Sequence, residues 1–317
     1  MQLADRFRAY AVAAEAEGSP VYAEWARGVA GDDDVLRVVE AAPEARRQPV
    51  LVLATCRWLG ASPGPWSRLR EWVLGHAAEL VAELGRRSVQ TNDVRRSAPL
   101  SLALARLEGP VALLEVGASA GLCLYPDRVA YEGGGRTWGD VDSTVRVSVD
   151  VSGPVGRPVV PEVAWRGGLD LDPLDVLDDD DVAWLETLLP PGPTDRTALL
   201  ARAVSMARTA PPRLERGDAV DDLARVAALA PPSARLVVVS TGTLVYLPGR
   251  RRQQFVDAVR ALDAHWVSYE RADLLHDVGP VVDPPVTGPD AFAVLALDGE
   301  PIALGDAHGT RLTLLHG

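Results

Sequence analysis

The segment LLEVGASAG, residues 113–121, decides the fold that we predict for this chain. It overlaps the apolar run VALLEV (111–116), which is typical of a strand buried on both faces of a parallel sheet. Gly117, Ser119 and Gly121 alternate after this strand. Glycines at such positions let the backbone approach a ligand closely and direct the N-terminus of a following helix toward it. We therefore predict a strand, a glycine turn and a helix that hold a nucleotide-like cofactor.

Apolar runs alternate with helical patterns downstream of this turn, which is the pattern of an α/β sheet. The predicted strands are GLDL (168–171), RLERGD (213–218), ARLVVVS (234–240) and HWVSYE (265–270), and then FAVLALDG (292–299) and TRLTLL (310–315). The last two are predicted to form an antiparallel pair at the sheet edge. The expected fold class is α/β, with a Rossmann-like, mostly parallel sheet and this antiparallel C-terminal pair.

Two domains are expected. Residues 1–105 are predicted to form a helical N-terminal cap subdomain, because apolar residues recur there every three or four positions and prolines separate the predicted helices. Residues 106–317 are predicted to form the sheet domain. A stretch at about 125–165 is rich in Gly, Asp and Thr around TVRVSVDV (144–151), and we predict an inserted hairpin there.

Composition restricts the possible functions. The chain has 317 residues, a net charge of −12 and no lysine, so all 32 basic residues are arginines. The lack of an amine excludes a Walker-type phosphate loop, a pyridoxal Schiff base and a lysine general base. The acidic balance argues against nucleic acid or an anionic membrane as partner and favours a small-molecule substrate. Two cysteines, five histidines without metal spacing and no signal-peptide core suggest a cytoplasmic protein without metal. The oligomeric state stays open.

The glycine turn resembles the first motif of class I S-adenosylmethionine methyltransferases, E-x-G-x-G-x-G, with a serine in place of the middle glycine. This resemblance implies S-adenosylmethionine as cofactor, with Asp170 or Asp172 near the ribose, Asp150 as the alternative, and Asp218 near the adenine amino group. The expected cofactor-binding residues are Glu115, Gly117, Ser119, Gly121, Asp170, Asp172, Asp218 and Thr241.

The same residues allow other interpretations. GASAG (117–121) also fits the G-x-S-x-G nucleophile elbow of serine hydrolases, in which Ser119 would be the nucleophile and His308 would complete the triad. The turn could instead only pack a helix on a strand, which would suit a non-catalytic ligand-binding protein.

Candidate catalytic and substrate-binding residues lie elsewhere in the chain. Glu270, at the end of a predicted strand, and His308, before the last one, are candidate general bases, although a surface carboxylate or a turn histidine would look the same. Gln90, Thr91, Asn92, Arg96 and Tyr246 are candidate substrate-binding residues. Asn92 could equally serve only as a helix cap.

The chain also resembles the actinobacterial domain of unknown function 2332 family over almost its whole length. The matching motifs include VQTND (89–93), LLEVGASAGL (113–122), Arg166 to Trp184, RGDA (216–219) and His308-Gly309. The resemblance implies kinship with methyltransferase-like folds and a shared pocket, but no particular reaction. Cys123 and Ser240 stand where Asn and His are usual in the family, which implies another substrate or a loss of activity.

Overall fold

The computed structural model describes residues 2–90, 92–192, 194–274 and 292–315. The α-helices are α1 Leu3–Ala16, α2 Pro20–Ala30, α3 Asp33–Glu40, α4 Pro49–Trp58, α5 Trp66–Gly75, α6 Ala77–Arg86, α7 Ser97–Leu104, α8 Asp179–Leu188, α9 Thr194–Arg208, α10 Leu223–Ala227 and α11 Gly249–Arg260. The strands are β1 Val111–Val116, β2 Ala130–Gly133, β3 Arg136–Gly139, β4 Arg146–Ser148, β5 Asp150–Ser152, β6 Val163–Asp170, β7 Arg213–Arg216, β8 Arg235–Thr241, β9 His265–Arg271, β10 Ala293–Leu297, β11 Glu300–Gly305 and β12 Arg311–Leu314.

Contacts group the chain into two compact units. Unit 1 contains Met1–Thr91 and Asp178–Ala198, and unit 2 contains Asn92–Leu177 and Leu199–Gly317. The boundary predicted from sequence lay at residue 105. Helix α7, which precedes that position, has an entirely buried sequence and packs on β9 and β10 of unit 2.

Unit 1 is helical, and an aromatic cluster attaches its second segment to its first. Trp184 of α8 is buried and contacts Trp58 of α4 edge to face, with 5.8 Å between the ring centroids. The guanidinium of Arg87 lies 4.3 Å from the Trp58 ring centroid and 4.7 Å from that of Trp184. These cation–π contacts explain why the segment from residue 178 packs with helices far away in sequence.

Unit 2 is built around a nine-stranded sheet in the order β5-β12-β11-β10-β9-β8-β1-β6-β7. Strands β9, β8, β1, β6 and β7 are parallel neighbours. Leu114 and Val116 of β1 pack in a core with Leu223 of α10 and Phe255 of α11, so these helices cover one face. The predicted α/β class with a large, mostly parallel sheet is confirmed.

The prediction of a helix directly after the glycine turn is wrong. The turn leads into a single 3₁₀ turn, Leu122–Leu124, and a second one, Pro126–Arg128. Pro126 has no N–H for a helical hydrogen bond and keeps the preceding residue out of the α conformation. No helix N-terminus is therefore available to face a ligand at this turn.

The antiparallel edge also differs from the prediction. The predicted strands near 292–299 and 310–315 do not pair with each other, because β11 lies between them and pairs with both β10 and β12. Asp298 and Gly299 both have positive φ, 53° and 89°, and connect β10 to β11 in a tight hairpin. Asp-Gly is a typical sequence for such a two-residue turn.

The segment predicted as an inserted hairpin contains four short strands. β2 pairs with β3 and β4 in a small separate sheet, whereas β5 pairs with β12 at the far edge of the large sheet. Tyr131 and Trp138 stack in the small sheet with 5.5 Å between their centroids. Their polar atoms reach α7: Tyr131 Oη lies 3.0 Å from Ser97 Oγ, and Trp138 Nε1 lies 2.9 Å from Ser101 Oγ.

Candidate functional site

The strand order of unit 2 reverses between β1 and β8. Counted along the chain, the five parallel strands stand in the order third, second, first, fourth, fifth. In open α/β sheets a ligand binds outside the carboxyl ends of the strands at such a switch point. Here the turn after β1 and the turn after β8 are in contact, since Thr243 Oγ1 donates a 2.8 Å hydrogen bond to the carbonyl of Val116.

The glycine turn needs its glycines for backbone conformation and packing. Gly117, Ser119 and Gly121 have positive φ of 74°, 52° and 71°. A Cβ on Gly117 would lie 2.5 Å from Thr243 Oγ1, and one on Gly121 would lie 2.8 Å from Pro212 Cγ. The protein's own side chains therefore fill the space that the absent side chains leave, and a ligand does not need to fill it.

Most backbone N–H groups of the turn already have partners. The N–H of Gly117 donates to the carbonyl of Leu169 at 2.8 Å, and that of Ser119 donates to Asp170 Oδ2 at 2.8 Å. The N–H of Leu122 donates to Asn92 Oδ1 at 2.8 Å. A phosphate-binding loop presents such groups to its anion. This turn instead uses them internally, and a ligand here would be recognised by side chains.

Glu115 supplies a buried carboxyl group beneath the turn. Its side chain is 3% exposed, and burial raises its pKa to about 8, although the Thr241 hydroxyl and the Arg96 guanidinium act in the opposite direction. Thr241 Oγ1 donates to Oε1 at 3.3 Å. Glu115 Oε2 and Ser119 Oγ are both buried and have no hydrogen-bond partner among the described residues.

A short segment after the start of unit 2 connects three turns at the carboxyl edge. Asn92 Nδ2 donates to the carbonyl of Ala118 at 2.7 Å, and Asn92 Oδ1 accepts from the N–H of Leu122, so both polar atoms of this side chain bind the glycine turn. Arg96 Nη1 donates to the carbonyl of Thr241 at 3.0 Å, and its Nε donates to that of Ala307 at 3.3 Å. Asn92 and Arg96, predicted to bind substrate, thus position the turns around the site.

His308 forms a dyad with Asp93. Its Nδ1 lies 3.1 Å from Asp93 Oδ2, and the two side chains are 24% and 13% exposed. Burial acts to raise the pKa of Asp93, but hydrogen bonds from His308 and Arg95 hold this pKa well below its usual range. The Asp306 carboxylate fixes the backbone beside the histidine, accepting from the N–H of Thr310 at 2.8 Å. The two residues are 215 positions apart, so the sequence alone does not reveal Asp93 as the partner of His308.

Glu270, the other candidate base, is completely buried. Its Oε1 accepts from the backbone N–H of Thr243 at 3.0 Å, and its Oε2 from that of Leu244 at 3.2 Å. Burial raises the pKa of Glu270 to about 7, and these backbone donors limit the rise. The carboxyl group therefore fixes the turn after β8, and this geometry favours a structural role.

The downstream acids lie at the ends of β6, which pairs with β1, and of β7, which pairs with β6. Asp170, at the end of β6, accepts from the N–H of Ser119 and, through Oδ1, from that of Asp172 at 2.8 Å. Asp172 pairs with Arg216 at 2.8 Å. Asp218, just after β7, caps its own turn by accepting from the N–H of Val220 at 2.8 Å. Asp218 also pairs with Arg251, and these partners lower its pKa in spite of its burial.

The remaining predicted residues divide into three groups. Gln90 belongs to unit 1, where its Nε2 donates to Ser88 Oγ at 3.1 Å, and Thr91 lies outside the described residues. Tyr246 is 63% exposed in the turn after β8. Asp150, the alternative ribose ligand, lies on β5 at the opposite edge of the sheet from β6. The sheet order therefore favours Asp170 over Asp150.

The nucleophile-elbow interpretation gains little from the geometry. Ser119 does have positive φ, as such a serine would. However, its Oγ is buried and makes no hydrogen bond to His308 or to any other described residue.

Two further findings hold for the described residues: no group of three or more His, Cys, Asp or Glu side chains is arranged for a metal ion, and no helix is long and apolar enough to cross a membrane.

Fold and site together define an α/β protein with a mostly parallel sheet and acidic side chains at the carboxyl ends of three neighbouring strands. Residues 4–313 match the model of the family described as "Uncharacterized protein conserved in bacteria (DUF2332)". Because the match covers nearly the whole chain, the protein belongs to this family, as the sequence motifs predicted. No curated protein and no solved structure matches the chain significantly.

Proposed function

We propose that the protein is an S-adenosylmethionine-dependent methyltransferase of small molecules, with a class I methyltransferase-type sheet. The supporting observation is the row of acids at the carboxyl ends of adjacent parallel strands: Glu115 on β1, Asp170 on β6 and Asp218 after β7. Carboxylates accept hydrogen bonds from hydroxyl and amino groups and repel phosphates. A ligand that fits this row carries hydroxyl and amino groups, as a nucleoside with an amino-acid tail does.

The residues present fit this cofactor in two further respects. Glu115 Oε2 is a buried carboxyl oxygen without a described partner, and a polar group of a ligand would satisfy it. The N–H groups of the glycine turn are used internally, which disfavours a phosphorylated nucleotide but not S-adenosylmethionine, which has no phosphate. Asp170 accepts one hydrogen bond on each oxygen and retains lone pairs for ribose hydroxyls.

When bound, S-adenosylmethionine would supply an electrophilic methyl group on a sulfonium, and a hydroxyl or amino acceptor would have to give up a proton. His308 is the candidate that takes this proton. Asp93 holds Nδ1 of the ring, which fixes the tautomer and makes Nε2 the basic atom. Glu270 is the less suitable base because backbone donors bind both of its oxygens. The other residues contribute by positioning the reactants.

The two cysteines, Cys56 and Cys123, are buried free thiols, which fits the cytoplasm as the compartment of this enzyme.

Calorimetric titration with S-adenosylmethionine and S-adenosylhomocysteine tests the proposal. We expect both to bind, and Asp170→Asn to weaken binding about tenfold, the usual effect of losing a charged hydrogen bond, whereas Glu115→Gln, which replaces a protonated acid, should weaken it less. Glu108→Gln, at an exposed position of unit 2, is the matched control and should bind like the wild type. Absence of binding of either compound at millimolar concentration would overturn the proposal.

A further inference from the structure

A pocket lies in unit 2 beside the small sheet, and none of its lining residues belongs to the candidate site at the carboxyl edge. Its volume is about 590 Å³, and its lining comes from β3 with the loops at 140–141 and 157–160 and from Asp127. This size is in the range of small-molecule sites. Trp138, which is 4% exposed, forms part of the lining and is anchored to α7 by its bond to Ser101.

Two arginines in this pocket have no described partner. Neither the Arg136 nor the Arg157 side chain makes a hydrogen bond or ion pair within the part of the chain that the structure describes. Asp127, in contrast, is neutralised by Arg166, whose Nη2 lies 2.9 and 2.7 Å from its two carboxylate oxygens. The other acid of the lining, Asp140, accepts from the N–H of Asp142 at 3.2 Å.

The lining contains two arginines and two aspartates, and because Asp127 is paired with Arg166, which lies outside the lining, an excess of one cation remains. Such an excess is notable in a chain of net charge −12. Guanidinium groups bind carboxylates through paired hydrogen bonds. The charged part of an occupant is thus expected to be an anion.

Apolar side chains supply the other half of the lining. Val141 is 54% exposed and Val159 is 75% exposed, which are high values for valines, and Pro158 and Val160 lie beside Val159. Water contact with these side chains is unfavourable, and an apolar ligand would relieve it. A bare inorganic anion would leave this half of the pocket unused.

We propose that this pocket binds small monocarboxylates with an apolar chain, with Arg136 and Arg157 holding the carboxylate and Val141 and Val159 contacting the chain. The site is separate from the proposed cofactor site. Each proposal can therefore fail without the other.

Calorimetric titration of the full-length protein with butyrate, hexanoate and octanoate tests the site. We expect affinity to rise about tenfold or more from butyrate to octanoate as more methylene groups are buried. Arg136→Gln and Arg157→Gln should each weaken octanoate binding about tenfold, and the double variant should weaken it further. Arg202→Gln, an exposed arginine of α9, is the control and should leave binding unchanged.

Two head-group probes complete the test. Octylammonium has the same chain with the opposite charge, and inorganic phosphate has the charge without the chain. Neither should match octanoate. Equal binding of octanoate to the wild type and the double variant, or of octylammonium and octanoate to the wild type, would overturn the proposal, as would phosphate binding as tightly as octanoate. The double variant should bind S-adenosylmethionine like the wild type, which separates the two sites.

Discussion

Replacing Glu115 by glutamine is expected to change how stability depends on pH. Burial raises the pKa of Glu115 from its ordinary value of 4.5 to about 8 in the folded protein. Between these values the folded state keeps a proton that the unfolded state has lost, so each pH unit lowers the free energy of unfolding by about 1.4 kcal/mol. The stability that the protonated Glu115 provides is thus complete below pH 4.5 and is lost as pH rises to about 8.

Glutamine has nearly the same shape as glutamate and does not titrate. From pH 5 to pH 8, we expect the wild type to lose about 3 to 4 kcal/mol of stability relative to Glu115→Gln. Glu270, whose pKa is raised to about 7, is present in both proteins, and its contribution cancels in this difference.

Urea denaturation at the two pH values, followed by tryptophan fluorescence, measures this difference. Glu108→Gln serves as the control, because this exposed glutamate loses little solvation on folding, and its difference from the wild type should stay constant. If the difference between the wild type and Glu115→Gln is the same at pH 5 and pH 8, the inference that Glu115 is a desolvated, protonated acid is wrong.

The remaining predictions concern packing, the turn and the serine. Arg87→Ala removes cation–π contacts with two tryptophans, so chemical denaturation should show that the free energy of unfolding falls by about 1 to 3 kcal/mol. Arg86 is exposed, and Arg86→Ala should lower it by well under about 1 kcal/mol. Gly117→Ala forces a side chain into positive φ and against Thr243, and the melting temperature should fall by several degrees, more than for Gly109→Ala, where nothing lies within 4 Å. Asn92→Ala removes both hydrogen bonds to the glycine turn and should destabilise the protein by about 1 to 3 kcal/mol; an unchanged denaturation midpoint would contradict this role. A fluorophosphonate probe should not label Ser119, because its Oγ is buried without a partner base, and labelling that Ser119→Ala abolishes would revive the hydrolase interpretation.

The sequence was sufficient to predict the parallel sheet. Strands β1 and β8 appear as runs rich in Val and Leu, and the acids Glu115 and Asp170 follow the pattern of a strand-end site. It was insufficient where short signals compete. Pro126 ends the stretch after the glycine turn before a helix can form. Strand β11 follows the Asp298-Gly299 turn and lies in the turn-rich segment between the two predicted strands, where no strand was predicted.

Contacts between distant residues were the other part that sequence could not reveal. Glu270 ends its strand as a catalytic acid would, and only tertiary structure shows that backbone N–H groups bind its carboxyl group. Asp93 and His308 form a dyad although they lie near the two ends of the sequence of unit 2. Asn92 and Arg96 are polar residues of the type expected to bind substrate, but they bind backbone carbonyls of neighbouring turns.

The cation–π cluster of Trp58, Arg87 and Trp184 affects how unit 1 folds while the chain is being synthesised. Unit 1 receives α8 only after the whole stretch 92–177 has emerged from the ribosome. Until then its helices lack Trp184 as a packing partner, and the nascent chain exposes the apolar surface that this tryptophan later covers. Truncations that end before residue 184 should therefore be prone to aggregation, even when all of the first six helices are complete.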